Sequence, residues 1–258
     1  MEEHIFKKRF GQNFLNDNNI LDKISKSISP TENDLIIEVG PGSGNLTRYL
    51  QKYNSYLLCY EIDLTLQEKL KELQNDKTTI VFKDFLETNI KEDINNIPYE
   101  KIYVVANIPY YITTPIIEKL TLSNLNIKAL TLMMQKEVGE RLTAKPKTKD
   151  YGYITVLLNY FYDIELLFNV SRKCFYPMPN VDSVVVKFTS KEKINIDFNK
   201  FNNFIKQAFQ YKRKNLRNNL KSYNLNKIEQ ILIKNGYSLK NRAEDLPLSV
   251  YIDLVNYL

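Results

Sequence analysis

The chain has 258 residues, 43% of them hydrophobic, enough for one large domain or one of ordinary size with a small appendage around a substantial core. No apolar run approaches the ~18 residues of a membrane helix and the N-terminus lacks an apolar signal core, so a soluble cytoplasmic protein without a membrane partner is expected, an organelle staying open. Cys59 and Cys174 form no CxxC pair and the single histidine is His4, which argues against a disulfide scaffold, a metal site and histidine-based nucleophilic catalysis. The net charge of +6 is modest, so its distribution carries more information than its total.

Residues 1–16 are polar and basic without a clear period, and include Lys7, Lys8 and Arg9. Ile20, Leu21, Ile24 and Ile28 then predict a helix over 18–28. Strands are predicted at 34–39, 55–62, 78–82, 101–106 and 128–134, and helices at 45–53, 64–73, 115–122 and 136–142. This alternation indicates βαβ units and a parallel sheet covered by helices on both faces. After Thr143 comes a basic loop with Lys145, Lys147 and Lys149. The apolar stretches 153–162 and 183–189 read as two strands that pair antiparallel at the sheet's end. From Phe198 the period is helical, with Phe201, Phe204, Ile205, Ala208 and Phe209 on one face. Between Asp197 and Glu229 there is no acidic residue, whereas Lys206, Lys212, Arg213, Lys214 and Arg217 fall there. Such single-sign stretches suit a phosphate backbone. The expected boundary lies near residue 190, giving an α/β domain over 1–190 and a small all-helical domain over 191–258.

The first strand runs into EVGPGSG, with Gly40, Gly42 and Gly44. A dinucleotide fingerprint would require glycine at 45, where Asn45 stands; the GxGxG spacing suits S-adenosylmethionine, which has no pyrophosphate. Glu61 ends the second strand, where an acid holds ribose hydroxyls. Asp84 follows the third and is placed to take an adenine amino group, with Phe85 beside it. Asn107 follows the fourth. All four positions fall at strand C-terminal ends, where open α/β sheets bind ligands.

Asn107 also opens N-I-P-Y, which resembles the [D/N/S]-P-P-[Y/F] motif of amino methyltransferases. The exocyclic amine of adenine is a poor nucleophile because its lone pair is delocalised into the ring. Two acceptors on its N–H bonds favour a pyramidal nitrogen whose lone pair points at a methyl group. The Asn107 side-chain oxygen and the Ile108 carbonyl are the candidates, with Pro109 stiffening the turn and Tyr110 stacking on the base. A base inside a duplex must be turned out to react, and Phe175, in the proline-flanked FYPMPNVDS, is the candidate for its second wall.

Taken with KKRFGQNFLND, MMQKEVGERL, DYGYITVLL, AFQYKRKNLRNNL and NRAEDL, these segments make the chain resemble the ribosomal RNA adenine dimethyltransferases over nearly its whole length. That family includes the kasugamycin-sensitivity protein and the Erm resistance methylases. The resemblance implies a class I S-adenosylmethionine-dependent methyltransferase fold, a Rossmann-like sheet with an antiparallel end strand. It implies that Asn13 and Leu15 cover the cofactor, that Gly40 contacts its methionine part, Glu61 its ribose and Asp84 its adenine. Asn107 and Tyr110 would then hold the target base, with Phe175 on its other face. The implied reaction is dimethylation of two adjacent adenines near the 3′ end of small-subunit rRNA, carried out by a monomer on a ribosomal particle. The basic residues of all three clusters (Lys7, Lys8, Arg9; Lys145, Lys147, Lys149; Lys212, Arg213, Lys214, Arg217) would meet RNA. GPGSGNLT favours the small-subunit branch, because Erm proteins usually carry a lysine in that loop. Tyr211 and Lys212 stand where that branch usually has arginines, and Asn180 where it has lysine. An Erm-type enzyme acting on large-subunit rRNA and a non-catalytic RNA-binding assembly factor are the alternatives.

Overall fold

The computed structural model describes residues 13–107, 112–192 and 194–257. Lys7, Lys8, Arg9 and Tyr110, together with Ile108 and Pro109, lie outside the described residues. The chain divides into two compact units, Met1–Gly139 with Glu165–Ser190, and Glu140–Ile164 with Lys191–Leu258. A single cut after residue 190 does not describe this division, because residues 140–164 belong with the C-terminal helices.

The first unit begins with a two-residue strand β1 (Phe14–Leu15) and helix α1 (Asn18–Ser25). Asp17 caps α1 by accepting the backbone N–H groups of Asn19 and Ile20 at 2.9 and 3.1 Å. Of the expected apolar stripe, Leu21, Ile24 and Ile28 are buried and Ile20 is partly buried, but regular helix stops at Ser25 and Ile28 reaches the core from the turn before Pro30. Strands β2 (Leu35–Val39), β3 (Tyr56–Glu61), β4 (Thr78–Phe82), β5 (Ile102–Asn107) and β6 (Ile127–Gln135) follow. All neighbouring pairs among them run parallel. Their apolar runs suit burial on both faces, and every residue of β2 is buried. Between the strands lie α2 (Asn45–Leu50), α3 (Gln67–Lys71), α4 (Ile90–Asp93), α5 (Thr113–Leu122) and α6 (Lys136–Leu142).

The stretch 153–162 is not a strand. Tyr153–Phe161 is helix α7, and the strand is β7 (Tyr162–Val170). A nine-residue apolar run has no decisive period, so tertiary packing settles it. The Gly152 N–H donates to the Thr155 hydroxyl at 3.3 Å at the helix start. Val156, Leu157 and Tyr160 then enter the core of the helical unit. After β8 (Phe175–Tyr176) comes β9 (Ser183–Ser190), which runs antiparallel to β6, pairing Leu132 with Val186, and not to the stretch 153–162, its expected partner. Among the described residues the sheet order is β4–β3–β2–β5–β6–β9–β7. Strands β1 and β8 form a separate antiparallel ribbon, Leu15 opposite Phe175 and Phe14 opposite Tyr176.

In the second unit α7 is joined by α8 (Phe198–Ala208), α9 (Leu216–Asn219), α10 (Leu225–Lys234) and α11 (Leu248–Tyr257). Phe201, Phe204, Ile205 and Ala208 form the buried face of α8, and Tyr160 of α7 stacks on Phe201 with ring centroids 4.8 Å apart. The buried Tyr251 hydroxyl donates to the Ala243 carbonyl at 2.6 Å, and the Asn219 amide nitrogen donates to the Ala208 carbonyl at 2.7 Å, while the buried Asn219 Oδ1 has no hydrogen-bond partner among the described residues. No helix among the described residues is long and apolar enough to cross a membrane.

Candidate active site

The C-terminal ends of β2, β3, β4 and β5 open onto one cavity of about 180 Å³ in the first unit. Asn13, Leu15, Gly40, Glu61, Asp84, Asn107 and Phe175 all line it, so every anticipated cofactor or target-base residue that is described falls around the same cavity. The βαβ topology is the cause, since every connection leaves its strand on that side of the sheet.

The glycine loop follows β2. Gly40 has φ +74°, a left-handed conformation, and its Cα side faces the Asn107 carbonyl. At Gly42 (φ +57°) a Cβ would stand 2.7 Å from Cε1 of Phe14, so only glycine lets the ribbon residue lie this close. The Gly42 N–H donates to Glu61 Oε2 at 2.9 Å, and the Asp63 N–H donates to Oε1 at 2.8 Å. Glu61 is 4% exposed. Burial raises its pKa, and the backbone donors of Asp63 and Gly42 oppose that rise. A third backbone donor, that of Ile62, also acts on this carboxylate, which leaves room for a further hydroxyl donor.

Asp84 caps a single 3₁₀ turn, Phe85–Glu87, by accepting the Leu86 N–H on Oδ1 at 2.8 Å; Oδ2 is the oxygen left to a ligand. Phe85 meets Tyr60 edge-on at 5.2 Å, and the Tyr60 hydroxyl donates to Asp93 Oδ2 at 3.0 Å. At the far side of the cavity the Asn107 amide donates through Nδ2 to the Asn13 carbonyl at 3.3 Å. That bond commits the nitrogen to the protein and leaves Oδ1 as the acceptor, the orientation a gripped amine requires. Phe175, 6% exposed, reaches the cavity because β8 pairs with β1; the same ribbon delivers Asn13, Phe14 and Leu15.

Glu38, Asn45 and Tyr60 are among the lining residues that were not anticipated. Glu38 is 1% exposed and accepts the Thr47 hydroxyl on Oε2 at 2.7 Å and the Cys59 thiol at 3.5 Å. Burial pushes its carboxyl up to about 7. The available signal was an acid inside an otherwise apolar strand. Asn45, the residue that breaks the dinucleotide fingerprint, donates to the Leu15 carbonyl at 2.9 Å and to Asn16 Oδ1 at 3.0 Å, tying α2 to the ribbon. Tyr60 gave no signal beyond an apolar strand.

The residues present fit S-adenosylmethionine. Two glycines form a cradle that a Cβ would fill or strain, and a buried carboxylate and a second acid stand one strand apart along the same sheet edge. Among the described residues no group of three or more His, Cys, Asp or Glu could hold a metal ion.

In the second unit, Lys145, Lys147, Lys149, Lys212, Arg213, Lys214 and Arg217 are all exposed. Two of the clusters are brought together, for Lys212 Nζ donates to the Lys149 carbonyl at 2.8 Å. Arg217 is partly engaged by Glu229, 3.4 Å away.

The profile of the ribosomal RNA adenine dimethylase family matches residues 3–258. A ribosomal RNA small subunit methyltransferase A of Mycoplasma mobile is 43% identical, covering 96% of this chain and 96% of that protein. One from Clostridium acetobutylicum is 41% identical, covering 95% and 91%. Among solved structures, a dimethyladenosine transferase from Plasmodium falciparum superposes with TM-score 0.77 at 26% identity, over 93% and 95% of the two chains. The 23S rRNA methyltransferase ErmE gives 0.75 at 24% identity, over 95% and 99%, and this likeness concerns the fold. The sheet, its cavity and these matches agree: the fold is that of a class I methyltransferase, and the chain belongs to the ribosomal RNA adenine dimethylase family.

Proposed function

We propose that this enzyme uses S-adenosylmethionine to dimethylate the N6 amino groups of two adjacent adenines near the 3′ end of small-subunit rRNA, acting as a cytoplasmic monomer on a ribosomal particle. The observation that carries the reading is Asn107, which lines the cavity and whose Nδ2 donates to the Asn13 carbonyl, so that Oδ1 is the side-chain atom left to accept from a ligand. The relatives near 40% identity bear small-subunit names, which favours that branch over large-subunit rRNA. The cofactor supplies a sulfonium methyl that is already activated. Gly40 lets backbone approach its methionine part, Glu61 accepts from the ribose hydroxyls, Asp84 Oδ2 accepts from the adenine amine, and Asn13 and Leu15 cover it. Asn107 and Tyr110 hold the target base, and Phe175 forms the opposite wall. Asn107 Oδ1 takes one N–H of the target amine and turns its lone pair toward the methyl group. The protein's contribution is therefore position and electrostatics. The joined clusters at 145–149 and 212–217 would meet phosphates, as would Lys7, Lys8 and Arg9.

Asn107→Ala tests the reading. Methyl transfer to small-subunit rRNA is lost, while S-adenosylhomocysteine binding stays within a few-fold of the parent. A variant methylating at the parent rate refutes the acceptor role. Mass mapping of rRNA from cells with and without the gene locates the modified adenines; modification of large-subunit rRNA instead would favour the Erm alternative.

A further inference from the structure

Lys119 lies in α5, outside the cavity lining, yet its ammonium is directed at the turn after β4. Its Nζ donates to the Leu86 carbonyl at 2.9 Å and the Thr88 carbonyl at 2.6 Å, with the Thr88 hydroxyl at 3.4 Å. The same ammonium stands 5.3 Å from the centre of the Phe85 ring. These carbonyls close the 3₁₀ turn Phe85–Glu87, and carbonyls at the end of such a turn lack partners within it. A cation there satisfies them and complements their partial negative charge. The turn opens with Asp84, and Asp84, Phe85 and Leu86 all line the cavity. Partial burial lowers the Lys119 pKa, and the charges of Asp84 and Asp93 oppose that, so the three groups act on one another. Ile112 and Ile116, at the start of the same helix, also line the cavity.

We infer that Lys119 is a positioning residue for the purine end of the cofactor site, holding the Asp84–Phe85 turn at the angle from which Asp84 reads a 6-amino group. This rests on the reading of Asp84 as the adenine acceptor. The consequence is a role in base discrimination. An acceptor fixed opposite position 6 welcomes the amine of adenine and opposes the 6-oxo group of hypoxanthine. A loosened turn binds both weakly and alike.

The test is calorimetric binding of S-adenosylhomocysteine and of its inosine analogue to the parent, Asp84→Asn, Lys119→Met and Lys187→Met. Lys187 also donates its ammonium to a carbonyl, that of Ser27 at 2.7 Å, but lies outside the cavity lining. The expected result is that Lys119→Met weakens S-adenosylhomocysteine about tenfold, as for the removal of charge-assisted hydrogen bonds, and brings the affinity ratio of the two ligands toward that of Asp84→Asn. Lys187→Met lowers the melting temperature and keeps the parent ratio. Should Lys119→Met fail to fold, Thr88→Val removes a hydroxyl that touches Lys119 and donates to the Phe85 carbonyl, and reports on the same turn. If Asp84→Asn loses discrimination while the Lys119 and Thr88 variants keep it, the positioning role is wrong and the adenine reading stands. If Asp84→Asn itself keeps the parent ratio, the adenine reading falls and the inference with it.

Discussion

Glu38 makes the stability of the protein depend on pH in a way that one substitution removes. Its carboxyl rises from 4.5 to about 7 in the folded chain, burial being the largest cause. A carboxyl raised in this way favours the fold while protonated. Below 4.5 both folded and unfolded chains hold the proton. As pH climbs from 4.5 to about 7 the unfolded chain releases it first, and stability falls across that window. Each pKa unit is about 1.4 kcal/mol, so a shift of this size corresponds to about 3 kcal/mol lost by pH 8. Glu38→Gln keeps an oxygen for the Thr47 hydroxyl and cannot ionise. Melting followed by circular dichroism should give nearly equal midpoints for parent and variant at pH 4.5. At pH 8 the variant should melt roughly 5–10 °C higher, at about 2–4 °C per kcal/mol for a chain of this size. Glu61, also raised by burial, is present in both proteins, and its charge acts on Glu38 less than burial, Thr47 or Cys59 does. A gap between the two curves that does not change with pH would show that Glu38 is not held protonated by its surroundings.

Three further outcomes are expected. Gly42→Ala forces a left-handed backbone on a residue with a Cβ, at a cost of about 1–2 kcal/mol, and drives that Cβ into Phe14; calorimetry should find S-adenosylhomocysteine bound about tenfold more weakly, and unchanged affinity would contradict the cradle. Replacing Lys145, Lys147 and Lys149 by glutamine should weaken binding to rRNA and flatten its dependence on salt by about one unit of logarithmic slope for each phosphate no longer neutralised, whereas a parent affinity insensitive to salt would remove the basis for the basic surface. Phe201→Ala, at a fully buried position stacked on Tyr160, should cost about 3–5 kcal/mol and lower the melting midpoint while S-adenosylhomocysteine affinity holds.

The main sheet was legible because parallel strands buried on both faces are written as short β-branched runs, as in Leu35–Val39 and Ile102–Asn107. The candidate site was legible for a related reason. Gly40, Glu61, Asp84 and Asn107 each follow one of those runs, and the topology collects them at one sheet edge. What stayed hidden depended on partners distant in the chain. The two-residue strand Phe14–Leu15 has no period of its own and exists only through Phe175–Tyr176. Tyr153–Phe161 is apolar in a way that suits either state, and the core containing Phe201 and Tyr251 makes it helical. Glu38 read as part of a strand until its burial was visible. The junction of Lys149 with Lys212 joins clusters that sequence order keeps separate.

The chain passes from one unit to the other after Gly139, returns after Ile164 and leaves again after Ser190. Recombination between relatives at Ser190 would therefore transplant four helices without the fifth that grew up with them. The α7 side chains Val156, Leu157 and Tyr160 would come from one parent and Phe201, Phe204 and Tyr251 from the other. Viable chimaeras should carry 140–164 along with the C-terminal part, so that the inherited module is a pair of segments interrupted by part of its neighbour.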